Sequence, residues 1–65
     1  MNSVIKELKK TAISKDNFTW EREKAIDIIA CIDGGDAKKA LAEISSEASF
    51  GWERERALNH LKTNC

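Results

Sequence analysis

The residues of this 65-residue chain best suited to catalysis or metal binding are one histidine, His60, and two cysteines, Cys31 and Cys65. A zinc site needs Cys and His ligands in closely spaced pairs, and these three residues offer no such spacing. A histidine acting as general base needs a nucleophile and an orienting group within reach. The neighbours of His60 in the chain supply neither, so the fold would have to bring them from elsewhere. Asp33-Gly34-Gly35-Asp36 lacks the spacing of a calcium loop, and no strand precedes it as a dinucleotide loop requires. It reads as a joint between two helices. Cys31 falls in an apolar helical stretch, and two cysteines do not make a disulfide scaffold, so two free thiols are expected. No catalytic residue, metal or cofactor is assigned, and the chain is read as a non-enzyme.

A repeated motif carries more information. Asn17-Phe18-Thr19-Trp20-Glu21-Arg22-Glu23-Lys24-Ala25-Ile26 aligns at an offset of 32 with Ser49-Phe50-Gly51-Trp52-Glu53-Arg54-Glu55-Arg56-Ala57-Leu58. Six of these ten positions are identical, which marks a duplicated unit. Trp and Arg are enriched at interface hot spots, so Trp20, Arg22, Trp52 and Arg54 are the candidate partner-binding residues. A second reading has Phe18, Trp20, Phe50 and Trp52 packing the seam between the two units. The spacing of Arg22 to Ala25 and of Arg54 to Ala57 tips both arginines toward the packed side. A buried Arg needs a carboxylate or carbonyl partner, and Asp16 is the candidate for Arg22. Glu21 with Lys24, and Glu53 with Arg56, read as i,i+3 pairs on a solvated face, worth about 0.2–0.5 kcal/mol each.

Charge disfavours a nucleic-acid partner. Eleven Lys and Arg balance eleven Asp and Glu, giving zero formal net charge. Lys6, Lys9, Lys10 and Lys15 make the start of the chain locally basic. No Arg accompanies them, and no aromatic is there to stack a base.

These residues need elements to position them. Pro is absent and Gly numbers three, so there are few helix breakers. Val4, Ile5, Leu8, Ala12 and Ile13 recur at helical spacing and predict a first helix over Ser3–Ser14, capped by Asn2 or Ser3. Lys15-Asp16-Asn17 supplies a turn. A second helix starts near Thr19, capped by Thr19 or Asn17, with Ala25, Ile28, Ile29 and Ile32 as its buried stripe. Asp33–Asp36 ends it, and Asp36 caps a third helix over Ala37–Glu47 that turns Ala37, Ala40, Leu41, Ile44 and Ala48 inward. A fourth helix runs over Gly51–Thr63 with Ala57, Leu58 and Leu61 inward and His60 at the margin. The short joints make successive helices antiparallel. The expected architecture is all-α: one domain over residues 1–65, built of two helical-hairpin repeats at about 3–33 and 36–64.

The stretch Arg22 to Gly34 resembles the second helix of a HEAT-like repeat, and is similar to the short repeats of the phycobilisome-lyase type. Arg22, Ala25, Ile29 and Ile32 occupy that pattern, Asp36 to Ile44 look like the next first helix, and Arg54, Ala57 and Leu61 restart it. Glu21 and Glu53 stand where the family usually has Val. An Asp six residues before the Arg, which the family often pairs with it, is matched by Asp16 but replaced by Ala48 in the second unit. The counterpart of Ile32 is Asn64, so the pattern frays there. The resemblance implies a short α-solenoid or compact superhelix that binds a protein as an adaptor. It also admits an accessory subunit related to bilin lyases, or a weak nucleic-acid-binding helical repeat.

No apolar run approaches the roughly 20 residues that span a bilayer, and Met1–Lys10 has no signal-like apolar core, so a cytoplasmic, membrane-free protein is expected. A domain of this size buries only about 60% of its unfolded surface, and repeats of this kind usually need about three neighbours. Val4, Ile5 and Leu8 at one end, and Leu58 and Leu61 at the other, are the expected uncovered apolar faces. A homodimer or an unidentified protein partner would cover them.

Overall fold

The computed structural model describes residues 3–63 as four helices: α1 (Ser3–Ile13), α2 (Thr19–Ala30), α3 (Gly35–Glu47) and α4 (Gly51–Thr63). There is no strand among the described residues. The expected Asn2 cap, the Asn64 position and Cys65 lie outside them.

Local signals account for each start and stop. α2 begins without the expected Thr19 or Asn17 side-chain cap. Phe18 holds the cap position in extended backbone (φ −64°, ψ 154°). The Phe18 N–H instead donates to Glu21 Oε1 at 3.0 Å, so the side chain three residues on secures the entry. Asn17 is drawn away, its Nδ2 donating to the Thr11 carbonyl at 3.0 Å and tying the α1–α2 turn together. α3 begins at Gly35, which places Asp36 inside the first turn, where its charge favours the positive end of the helix dipole. The residue before it, Gly34, takes φ +120°, a region open in practice only to glycine.

Contacts divide the chain into two hairpins, α1–α2 and α3–α4. α1 also packs on α3, and α2 on α4, while α2 meets α3 across the Gly34 joint. α1 and α4 share no contact. The core between the layers consists of Ile5, Ala12, Ala25, Ile26, Ile29, Ala37, Ala40, Leu41, Ile44, Ala48 and Ala57. Six of these are alanine, which lets the helices approach closely. The radius of gyration, 10.1 Å, is that of a fully compacted chain of this length, for which about 11 Å is typical.

The inward positions of α3 are as expected. α2 is rotated from the expected stripe: Ile26 is buried and Ile28 exposed, because α2 must face α3 and α4 as well as α1. Ile5 is buried rather than part of an uncovered face, while Val4 is exposed. Leu58 is 44% exposed and not an inward residue. The expectation of two free thiols is also corrected, since Cys31 is disulfide-bonded.

Candidate functional site

The two copies of the Phe-x-Trp-Glu-Arg-Glu motif start their helices in the same way. The N–H groups of Glu21 and Arg22 donate to the Phe18 carbonyl, and those of Glu53 and Arg54 to the Phe50 carbonyl. Identical starts lead to different surroundings. Arg22 projects from the first hairpin into the second and is 4% exposed. Its Nε donates to the Ala12 carbonyl at 3.5 Å and its terminal nitrogen to Glu53 Oε1. Its guanidinium carbon lies 4.3 Å from the Phe50 ring centre and 5.7 Å from that of Trp52, making cation–π contacts with both rings at the seam.

Glu53 is fully buried, at 0% exposure. Its Oε2 has no hydrogen-bond partner among the described residues. Burial pushes the Glu53 carboxyl above the usual carboxylate range, and the Arg22 charge only partly offsets this. The pairing of Arg22 with Asp16 is therefore corrected. Asp16 stays exposed in the α1–α2 turn, where its N–H donates to Ser14 Oγ at 3.4 Å. The first turn of α4 delivers Glu53 to Arg22 instead.

A second polar cluster flanks the seam. Arg56 Nε donates to Asp27 Oδ1 and an Arg56 terminal nitrogen to Asp27 Oδ2, both at 2.8 Å. His60 Nε2 sits 2.8 Å from Asp27 Oδ1, and Glu23 lies 3.6 Å from Arg56. The hydrogen bonds from Arg56 hold the Asp27 carboxyl below its ordinary range against the opposing effect of burial, with His60 adding to the lowering. Asp27 in turn raises Arg56. Lys9 bridges the other layer, 3.2 Å from Glu43 and 3.6 Å from Glu47. The expected solvated i,i+3 pairing of Glu53 with Arg56 is thus replaced by two inter-hairpin links.

The fold does bring His60 a carboxylate, Asp27, which its sequence neighbours lack. The cluster it joins is a guanidinium–carboxylate clamp between helices. Among the described residues no group of three or more His, Cys, Asp or Glu side chains is placed to hold a metal ion.

The remaining candidates are dispersed. Trp52 is half-buried at the seam. Trp20 is 65% exposed and Phe18 70%, on the side of the first hairpin that the second does not cover. There α1 and α2 form a shallow groove of 210 Å³ in which Leu8, Thr11, Trp20, Lys24 and Ile28 take part. Arg54 is exposed, with one terminal nitrogen donating to the Ala48 carbonyl at 2.7 Å. Glu53, Arg56, Ala57 and His60 make the side of α4 that meets the first hairpin, and Arg54 and Leu58 lie off it. The four candidate binding residues therefore form no single site: Arg22 and Trp52 hold the seam, while Trp20 and Arg54 face solvent.

Glu53 and Asp27 are the residues that sequence reasoning missed. One signal pointed to Glu53, which stands, like Glu21, where the resembled family has an apolar residue. Asp27 carried no comparable signal. No family model, curated protein or solved structure matches the chain.

Proposed function

We propose that the chain is a small non-enzymatic helical-repeat module that docks a protein through the outer face of its first hairpin, in the manner of the HEAT-like repeats its motifs resemble. The observation that carries this reading is the α1–α2 groove, in which Trp20 and Ile28 are exposed, with Phe18 exposed just before α2. Large apolar side chains clustered on one face, with polar Glu21 and Lys24 at its edge, have the composition of a binding patch. Trp20 is the anchor. Arg22 and Trp52 act indirectly, by holding the two hairpins together, and Arg54 contributes from the other end. A cytoplasmic adaptor role fits this reading. No helix among the described residues is long and apolar enough to cross a membrane.

The test is capture from native-host extract with wild type and Trp20→Ala side by side. A protein retained by wild type and lost with folded Trp20→Ala supports the proposal. Equal retention by both sinks the assignment of Trp20.

A further inference from the structure

The seam between the hairpins shows what the uncovered outer face is shaped to receive. Leu8, Thr11, Trp20, Glu21, Lys24 and Ile28 line the outer groove. Shifted by the 32-residue repeat they become Ala40, Glu43, Trp52, Glu53, Arg56 and His60. Five of these six touch the first hairpin, and the sixth, Ala40, is buried. Glu43 pairs with Lys9, Trp52 and Glu53 hold Arg22, and Arg56 and His60 hold Asp27. The outer groove is thus the same surface of the repeat, without a hairpin on it.

The complementary surface is also present. Arg22, Glu23, Ile26 and Ile29 of the first hairpin shift to Arg54, Glu55, Leu58 and Leu61. Ile26 and Ile29 are fully buried, whereas Leu58 is exposed and Leu61 only half-buried. Arg54 keeps a backbone carbonyl bond, as Arg22 does, but is exposed.

From this duplication we infer that a second copy of the chain docks head to tail. Arg54 of one copy packs on Phe18 and Trp20 of the next and pairs with its Glu21. Glu55 meets Lys24, as Glu23 meets Arg56 inside the chain, and Leu58 and Leu61 cover Leu8 and Ala25. This contact rests on the proposal that the outer face is a protein-docking surface, and it names the occupant. Because the two surfaces differ, the contact is heterologous and extends to further copies instead of closing at two. The Asp27 clamp becomes Asn59 opposite Lys24 and Ile28, so the contact between copies is weaker than the internal seam.

Sedimentation velocity with complementing variants tests this. The weight-average mass of wild type should rise about twofold or more between roughly 10 μM and 1 mM, the regime of a small interface. Arg54→Ala and Trp20→Ala each change an exposed side chain and should retain wild-type helicity by circular dichroism. Each alone should stay at the 7.3 kDa chain mass. Mixed in equal amounts they should form a capped pair at twice that mass, since each keeps the surface the other has lost. Wild type that stays at the single-chain mass, a single variant that associates like wild type, or a mixture that does not pair overturns the inference. None of these outcomes bears on Trp20-dependent capture of a foreign protein, so the two proposals fail separately.

Discussion

Arg22 of the first hairpin closes on Glu53 of the second, although the repeat gives each hairpin an Arg and a Glu of its own. Their counterparts, Glu21 and Arg54, serve a helix start and a turn carbonyl. Removing one member of a buried pair strands the other's charge, which typically costs about 3–5 kcal/mol. Glu53→Ala should therefore lower unfolding free energy by about 3 kcal/mol, and Arg22→Met with Glu53→Leu together should recover most of the loss. Urea unfolding of the two variants checks this. Equal destabilisation in both would show that the seam depends on the ion pair itself.

Asp27 and Glu53 should give opposite pH signatures. The folded Asp27 carboxyl titrates below its unfolded value, so its contribution is full above that value, about 3.9, and is lost as pH falls through the folded one. The stability gap between wild type and Asp27→Asn should shrink as pH falls below about 4. Glu53 titrates higher when folded, so its contribution is full below the unfolded value and declines as pH rises through the folded one. The gap between wild type and Glu53→Gln should move that way as pH rises above the usual glutamate range. Denaturation at stepped pH reads both.

Gly34 and Gly35 are adjacent yet should respond differently to alanine. Neither has an atom within 4 Å of the position a Cβ would take, so space does not separate them. Gly34 holds φ +120° and Gly35 opens a helix. Gly34→Ala should cost about 1–3 kcal/mol, while Gly35→Ala should fall within about 0.5 kcal/mol of wild type. Thermal melts of the two variants decide this.

Cys31 is disulfide-bonded, so reductant should lower the melting temperature of wild type. Losing a link of this kind commonly removes about 2–4 kcal/mol. Cys31→Ser should melt at the lower temperature with or without reductant, and a reductant-insensitive wild type would refute the contribution.

Ala40 of α3 sits in the core at 0% exposure. Ala40→Leu should destabilise by about 1–3 kcal/mol through overcrowding, while Ala42→Leu, on the exposed side of the same helix, should not. Chemical denaturation compares them.

The helix boundaries were legible because Asn, Asp, Gly and Ser cluster between apolar stripes, and α4 spans the expected residues. α3 was legible inside as well, since one regular stripe lines its buried side. α2 was not, because it is packed from three directions and no single stripe describes it. The partner of Arg22 was hidden for a related reason. Asp16 is six positions away, and Glu53, at the first turn of another helix, lies at a sequence separation of 31. Spacing rules reach along one helix and carry nothing about which carboxylate a second helix delivers.

That separation also bears on how the chain forms on the ribosome. When α1 and α2 have left the exit tunnel, the guanidinium of Arg22 has neither its carboxylate nor its two aromatic rings, because all three lie in residues 50 to 53, which are still inside the tunnel. The nascent first half then holds a cation destined for the interior with only the Ala12 carbonyl to receive it. Its final packing has to wait until residues 50 to 53 have emerged, so the molecule should commit to its native state in one step that joins both halves.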